Sequence, residues 1–321
     1  MTRLLLAGED SEGTLLRSLL PGLSGVCEVV TVSLENRAPV RSVTGVAERV
    51  ANRTGVSRHD TRLIEAVRDH QPDVVLVTKG RGLSADGIAR ARKMGSRVAI
   101  YYPDNPLWRS GDSGGALDRL AAADLVLIWS HRLARALEPT VRAVTVVPFG
   151  YDHRWFRPAA PDAERSGIVF LGTWSLRRER FLSALAGLPL RVGGTGWLSR
   201  GIDGATGPVR EQEAGRLLAT AAVGINLLHP QNTGAHNMRT REVAACGALE
   251  LTDPGTDGTP LRDTESCFWF RSPEELRALA EKALADPARV SAIAREGQEA
   301  VIGETYDVRA AEIAELLEAI A

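Results

Sequence analysis

Short, continuous runs of Leu, Val and Ile recur along this chain, spaced to leave room for one helix between them. That alternation limits the fold more than any other feature. Arg3-Leu-Leu-Leu-Ala7 opens the series, and 27–32, 74–78, 97–102, 125–129 and 143–147 continue it. A strand with one face in water alternates polar and apolar residues, whereas an uninterrupted apolar run suits a parallel strand covered on both faces. Apolar residues at helical spacing fill 61–70 and 87–94 between these runs. The first helix carries Leu15, Leu16, Leu19 and Leu20 and is expected to end at Pro21-Gly22, because an interior proline removes a helix hydrogen bond. Repeated βα units of this kind predict a doubly wound α/β domain.

After Pro148 the rhythm pauses over 149–162, which reads as an interdomain crossing, and then resumes. Strands are expected at 168–171, 190–192, 223–228 and 248–251. Helices are expected at 177–186, 211–221, 238–246, 273–285 and 289–301. The predicted organisation is a first domain over 1–155 and a second over 160–304. A last helix within 305–321, striped with apolar residues over 309–320, packs back on the first. A length of 321 residues suits two domains of this size. Two such domains imply a cleft, and ligands of these sheets bind outside the carboxyl ends of the strands.

Charge and composition remove several classes. With 39 basic and 40 acidic side chains there is no basic surplus for blanket neutralisation of nucleic-acid phosphates. No run approaches the ~20 apolar residues of a membrane span, and the polar turn after Ala7 does not resemble a signal peptide. Cys27, Cys246 and Cys267 are odd in number and widely spaced, which is neither a disulfide framework nor a zinc motif. A reducing, cytoplasmic setting is expected.

The most informative stretch is Gly234-Ala-His-Asn-Met-Arg-Thr-Arg-Glu-Val-Ala-Ala-Cys-Gly-Ala-Leu-Glu-Leu-Thr-Asp253. It follows a strand and opens a short helix that Gly247 stops. A helix start offers free N–H groups and a partial positive charge, a seat for phosphate. Asn237 and Arg239 lie there, and a guanidinium grips a diphosphate through paired donors. Glu242 sits one turn further on the same face, where a carboxylate can accept both hydroxyls of a ribose. The competing reading is an ordinary Arg239–Glu242 helix ion pair worth a few tenths of a kcal/mol. His236 adjoins the motif, either to touch a leaving phosphate or to make a local hydrogen bond. Further upstream, Arg177, Arg178 and Arg180 follow the Gly172-Thr173 turn. One of them is expected to reach the diphosphate. Gly193-Gly194-Thr195-Gly196-Trp197 is either a plain loop or a close approach to a base, with Trp197 stacked on it.

In the first domain the opening βα turn is Gly8-Glu9-Asp10-Ser11-Glu12-Gly13. It lacks the glycine fingerprint of dinucleotide sites, and its acids would repel a pyrophosphate. Glu9, Asp10 and Ser11 suit an acceptor rich in hydroxyls or bearing an amine; equally, Asp10 or Ser11 caps the next helix. Asp104, between Pro103 and Asn105-Pro106 after a strand, is either a base or sugar ligand, or a turn residue. Lys79-Gly80 and Ser130-His131 also follow strands and either line the cleft, with His131 as a candidate acceptor contact, or are structural residues of strand ends.

The run Asn-x-Arg-x-x-Glu-Val-Ala-Ala-Cys-Gly-Ala-x-x-Leu-Thr-Asp is similar to the donor-site signature of the CgeB-like branch of group 1 glycosyltransferases. Three other segments resemble that branch in the same order: Tyr101-Tyr-Pro-Asp-Asn-Pro106, Pro148-Phe-Gly-Tyr-Asp152, and Ile168-Val-Phe-Leu-Gly-Thr-Trp-Ser-Leu-Arg-Arg-Glu-Arg-Phe-Leu182. The likeness is strongest over 145–275 and weak before residue 70. It implies GT-B architecture, two Rossmann-like doubly wound domains facing across a cleft, with acceptor first and nucleotide-sugar donor second. By the same resemblance Glu242 binds the ribose, Asn237 and Arg239 lie near the diphosphate, and transfer proceeds with retention. The wider superfamily often carries a glutamate eight positions before Glu242; here that position is Gly234, with the amides of 233–236 as substitutes.

The expected function is transfer of a sugar from a UDP, GDP or dTDP sugar to a small-molecule or secondary-metabolite acceptor, with no metal or other cofactor. Arg239 and Arg178 serve the leaving group, and Asp104 or an acidic residue of the Glu9–Glu12 loop is the base if the reaction inverts. Alternatives are a nucleotide-sugar epimerase of the same fold, and a non-enzymatic two-domain receptor for a small ligand.

Overall fold

The computed structural model describes residues 1–34, 57–108, 113–160, 163–232 and 234–321. The chain divides into two compact units, one of residues 1–148 and 307–321, the other of residues 149–306.

The first unit is a six-stranded sheet: β1 (Arg3–Gly8), β2 (Glu28–Ser33), β3 (Val74–Thr78), β4 (Arg97–Tyr102), β5 (Leu125–Ile128) and β6 (Val144–Val146). The strands lie in the order β2-β1-β3-β4-β5-β6, and every pairing is parallel. The continuous apolar runs have the expected cause. All five residues of β3 are buried, as are the last five of β4, because sheet and helices leave neither face to water. The edge strands β2 and β6 are only part-buried.

Around this sheet lie α1 (Leu15–Ser24), α2 (Arg58–His70), α3 (Ala85–Lys93), α4 (Ser113–Ala122) and α5 (His131–Leu137). The first helix corrects the sequence reading, for α1 runs through Pro21 to Ser24. A proline there costs one donor, and burial of Leu16, Leu19 and Leu23 along one face holds the final turn in place. The helix α2 starts three residues earlier than expected because Ser57 caps it, accepting from the amides of His59 and Asp60.

The second unit repeats the plan with β7 (Ile168–Leu171), β8 (Leu190–Gly193), β9 (Ala205–Thr206), β10 (Val223–Asn226), β11 (Leu249–Thr252) and β12 (Phe268–Trp269). Their order is β12-β11-β10-β7-β8-β9, again all parallel. Its helices are α6 (Leu176–Ser183), α7 (Glu211–Ala219), α8 (Met238–Ala245), α9 (Pro273–Ala285) and α10 (Pro287–Val301). Successive strand residues serve opposite layers, as a period of two requires. Ile168 and Phe170 belong to one core cluster, Val169 and Leu171 to the other. The last helix, α11 (Tyr306–Glu318), belongs to the first unit from Asp307 onward, where Ala310, Ile313 and Leu317 are buried.

Trp197 is fully buried in the second unit. Its indole N–H donates to the Gly172 carbonyl at 2.6 Å and its ring stands edge-on to Phe170, 5.8 Å between centroids. A ring spent on the core offers no face to a base, so the stacking role is withdrawn. Gly194 is likewise explained by packing. Its φ is +149°, and a Cβ there would stand 2.1 Å from the Gly172 carbonyl oxygen. Among the described residues no helix is long and apolar enough to cross a membrane.

Candidate functional site

At the carboxyl ends of β7, β10 and β11 the second unit gathers the residues of the informative stretch. Ser175 caps α6 by accepting from the Arg178 amide, which places Arg177 and Arg178 in the first turn. Arg178 reaches across to the exit of β10: Nε and Nη2 donate to the Leu227 carbonyl at 3.2 and 2.8 Å, and Nη1 donates to the Thr173 carbonyl at 2.7 Å. Burial, with Arg177 and Arg239 nearby, lowers its pKa to about 10. The guanidinium still carries its charge at neutral pH, and among the described residues no carboxylate hydrogen-bonds to it.

Arg177 is held differently. It forks onto both carboxylate oxygens of Asp253, with Nη1 2.9 Å from Oδ2, and lies over the Phe181 ring at 4.7 Å. Asp253 also accepts from the Leu228 amide at 2.8 Å, so one carboxylate at the end of β11 ties Arg177 to the β10 exit. Arg180 is exposed.

Asn237 caps α8, its Oδ1 accepting from the Arg239 amide at 3.1 Å. Arg239 Nη1 stands 2.6 Å from Glu242 Oε2, so the helix ion pair is formed. It is not an ordinary surface pair, because the two side chains are 22% and 8% exposed. Burial pushes the Glu242 carboxyl upward and Arg239 pulls it back. Three guanidinium groups therefore share one edge of the sheet. Two are matched by carboxylates and, among the described residues, Arg178 is hydrogen-bonded by carbonyls alone, an arrangement that attracts a further anion.

His236 is buried, its Nδ1 2.7 Å from Thr240 Oγ1. Burial, with Arg241 beside it, lowers its pKa to about 4, so the ring is neutral. It makes the local hydrogen bond of the two readings, in the interior rather than at the surface. Thr173 is exposed, Gly172 half-buried, and the Gly234 carbonyl accepts from the Thr256 amide at 3.1 Å. Thr233 lies outside the described residues.

Sequence reasoning missed a polar group beneath α8. Asn226, Thr240 and Glu250 are all buried, and Asn226 Nδ2 stands 3.1 Å from Asn237 Oδ1, 3.0 Å from Thr240 Oγ1 and 3.0 Å from Glu250 Oε1. A signal was present, for Glu250 is the one acid within the apolar run Ala248-Leu-Glu-Leu251. Burial raises its pKa from 4.5 to about 7. Its contribution to stability is whole below the ordinary pKa of 4.5 and is lost as the pH rises to about 7. Relative to Glu250→Gln, the unfolding free energy of the natural protein should therefore fall by about 3 kcal/mol across that window. Urea titrations at a series of pH values test this, and a pH-independent difference would refute it. His236 has the opposite slope, losing stability as the pH drops from 6.5 toward 4, but does so in both proteins and cancels.

In the first unit, Lys79 Nζ lies 2.6 Å from Asp104 Oδ2, joining the ends of β3 and β4. Lys79 has a left-handed φ of 63°, uncommon for a side-chain-bearing residue and often found where geometry serves a site. The acidic turn is at the surface: Ser11 Oγ donates to Glu9 at 3.2 Å and Asp10 lies 3.6 Å from Arg17. The α1 cap is Thr14, so neither Asp10 nor Ser11 caps that helix. His131, the first residue of α5, is exposed, and Ser130 is the cap.

Residues 177–315 match a family model described as glycosyl transferase-like. No curated protein sequence matches the chain. Among solved structures, a sucrose-phosphate synthase from Thermosynechococcus elongatus is similar at 13% identity and a TM-score of 0.70, with 99% of each chain covered. HepE of Anabaena in complex with UDP-glucose is similar at 11% identity and a TM-score of 0.70, over 99% of this chain and 100% of that one. A trehalose-6-phosphate synthase, studied for glycosyl transfer with retention, gives 12% identity, a TM-score of 0.65 and full coverage of both chains. At such identities the likeness is one of fold, and the fold is the two-domain α/β fold of the GT-B type.

Proposed function

We propose that this protein is a glycosyltransferase of the CgeB-like branch that moves a sugar from a nucleoside diphosphate sugar to a small-molecule acceptor, including secondary metabolites; the likeness of the motif around α8 supports the branch. The observation that carries the reading is the charge arrangement at the β7, β10 and β11 ends. Arg178 is held by carbonyls and, among the described residues, no carboxylate hydrogen-bonds to it; Arg177, Arg239 and the start of α8 lie beside it. A diphosphate supplies the anion that this arrangement calls for. The family match over 177–315 covers these same residues.

In the reaction, the bond from the sugar anomeric carbon to the β-phosphate oxygen breaks and a bond to the acceptor oxygen forms. The acceptor proton passes to the departing nucleoside diphosphate. Negative charge grows on the β-phosphate, and Arg178 and Arg239 offset it from fixed positions, which is electrostatic catalysis without a metal. Glu242 accepts from the ribose hydroxyls, exchanging its contact with Arg239 for them. Arg177 holds the β10 exit through Asp253 rather than touching the ligand. Retention at the anomeric carbon needs no strong base, which leaves the Lys79–Asp104 pair to bind acceptor hydroxyls. UDP sugars are the first donors to test, since HepE was solved with UDP-glucose.

Thermal-shift titration with UDP, GDP, dTDP, ADP and CDP tests the reading. One diphosphate should stabilise the protein, by about 2.7 kcal/mol at 100 times its dissociation constant. Silence across the panel would overturn the donor site. Conversion of the matching nucleotide sugar without any acceptor would identify an epimerase instead.

A further inference from the structure

The start of α8 is fastened to the sheet from below. Gly224 in β10 carries no side chain, and a Cβ there would stand 2.6 Å from a methyl group of Val243, so α8 lies directly on the strand at that point. Gly224 pairs with Glu250 and Asn226 with Thr252 in the parallel register of β10 and β11, which puts Glu250 and Asn226 on the face that α8 covers. There Glu250 Oε1 accepts from Asn226 Nδ2, and the two hydrogens of that nitrogen are shared with Asn237 Oδ1 and Thr240 Oγ1 as well. The orientation of this amide follows from its surroundings. Were its oxygen turned inward, it would face the Glu250 carboxylate and the Asn237 Oδ1 that already accepts from the Arg239 amide, neither with a hydrogen to give it.

Asn237 Oδ1 thus has two donors, Asn226 Nδ2 from the sheet and the Arg239 amide of its own helix, each at 3.1 Å. An N-cap is ordinarily a local affair between a side chain and its helix. Here the cap is bolted to β10, and β10 to the carboxylate of β11. The helix start can neither slide along its axis nor rotate about it without breaking these bonds. Because it carries Asn237 and Arg239, with Glu242 one turn on, the bolt decides where those groups stand. A carboxyl buried to 1% exposure in a parallel strand is costly to keep, and an apolar residue would fill the layer at lower cost.

We propose that Asn226 and Glu250 are positioning residues for the diphosphate-binding start of α8, acting through Asn237 and touching no ligand. This rests on the donor-site reading above. It separates two jobs in one motif, contact by the helix residues and alignment by two strand residues beneath them.

The test is calorimetric affinity for the diphosphate that binds the natural protein, alongside thermal unfolding of each variant. Asn226→Leu and Glu250→Leu should each weaken binding about tenfold in the folded protein. Glu250→Gln should keep the natural affinity, because its amide oxygen still accepts from Asn226. In a background of Asn237→Ala, neither leucine variant should cause a further loss, since the group they act through is gone. A residue that only supports the fold would shift the melting temperature and leave the affinity of folded molecules unchanged. That result for the leucine variants, or an undiminished loss in the Asn237→Ala background, overturns the proposal. Should Asn226→Leu fail to fold, Glu250→Leu decides, because it replaces a costly buried carboxyl with an apolar side chain. Failure of the natural protein to bind any diphosphate would sink the donor-site reading itself. Binding that all these variants preserve would sink only the present inference.

Discussion

Replacing Arg178 by alanine is expected to lower the turnover of sugar transfer roughly 10²–10³-fold, the scale of losing one preorganised electrostatic group. The guanidinium is fixed by the protein's own contacts: Leu227 and Thr173 carbonyls hold it at 2.7–3.2 Å and the Phe170 ring centroid lies 5.5 Å away. It therefore need not reorganise as charge develops on the leaving phosphate. Among the described residues no carboxylate hydrogen-bonds to it, so its field is spent less locally than that of Arg177, which forks onto Asp253. Arg178→Lys should recover only part of the rate, since an ammonium cannot span two carbonyls and a phosphate at once. Single-turnover kinetics with saturating donor provide the measurement. A normal rate in Arg178→Ala would remove this residue from the chemistry.

The largest expected loss of stability follows Glu304→Ala. Arg241 in α8 is 2% exposed, and its Nε and Nη2 donate to Glu304 Oε2 at 2.9 and 2.8 Å, with Nη2 also reaching the Gly258 carbonyl. Glu304 in turn belongs to the closing bridge of the second unit, where its carbonyl accepts from the Tyr151 amide at 3.0 Å. Deleting the carboxylate leaves a buried guanidinium without its counter-charge, which costs about 3–5 kcal/mol. For a domain of this size that is a fall of roughly 6–20 °C in melting temperature. The paired replacement Arg241→Met with Glu304→Leu should recover most of that loss, because an apolar pair needs no compensation. Calorimetry on the three proteins decides; a drop below about 1 kcal/mol for Glu304→Ala would show a pair screened by solvent.

Much of the candidate site was legible because its chemistry lies in contiguous sequence. Asn237, Arg239 and Glu242 fall within six residues of one helix, and helical spacing alone puts the last two on one face. Their partners were not legible. Arg177 meets Asp253 across 76 positions, and Asn226 meets Glu250 across 24. A single sequence says that an acid sits in an apolar strand, but not which amide lies opposite. Trp197 shows the same limit from the other side. A tryptophan after a glycine-rich turn has the look of a stacking platform, and only the layer behind β7 reveals that the core takes it.

The sequence by itself determined the fold class, the two series of βα units and the helix that carries Arg239 and Glu242. These depend on local periodicity and on continuous apolar runs, which report burial on both faces directly. Pro21 marks where that reasoning stops, since tertiary burial of Leu16, Leu19 and Leu23 outweighs one missing donor. Only the tertiary structure decided which charges are matched. It gave Asp253 to Arg177 and Glu304 to Arg241, left Arg178 to carbonyls, and bolted the α8 cap to the sheet through Asn226. The physical reason is that the energy of a buried polar group depends on its partner's place in space, and the chain folds partners together from distant strands.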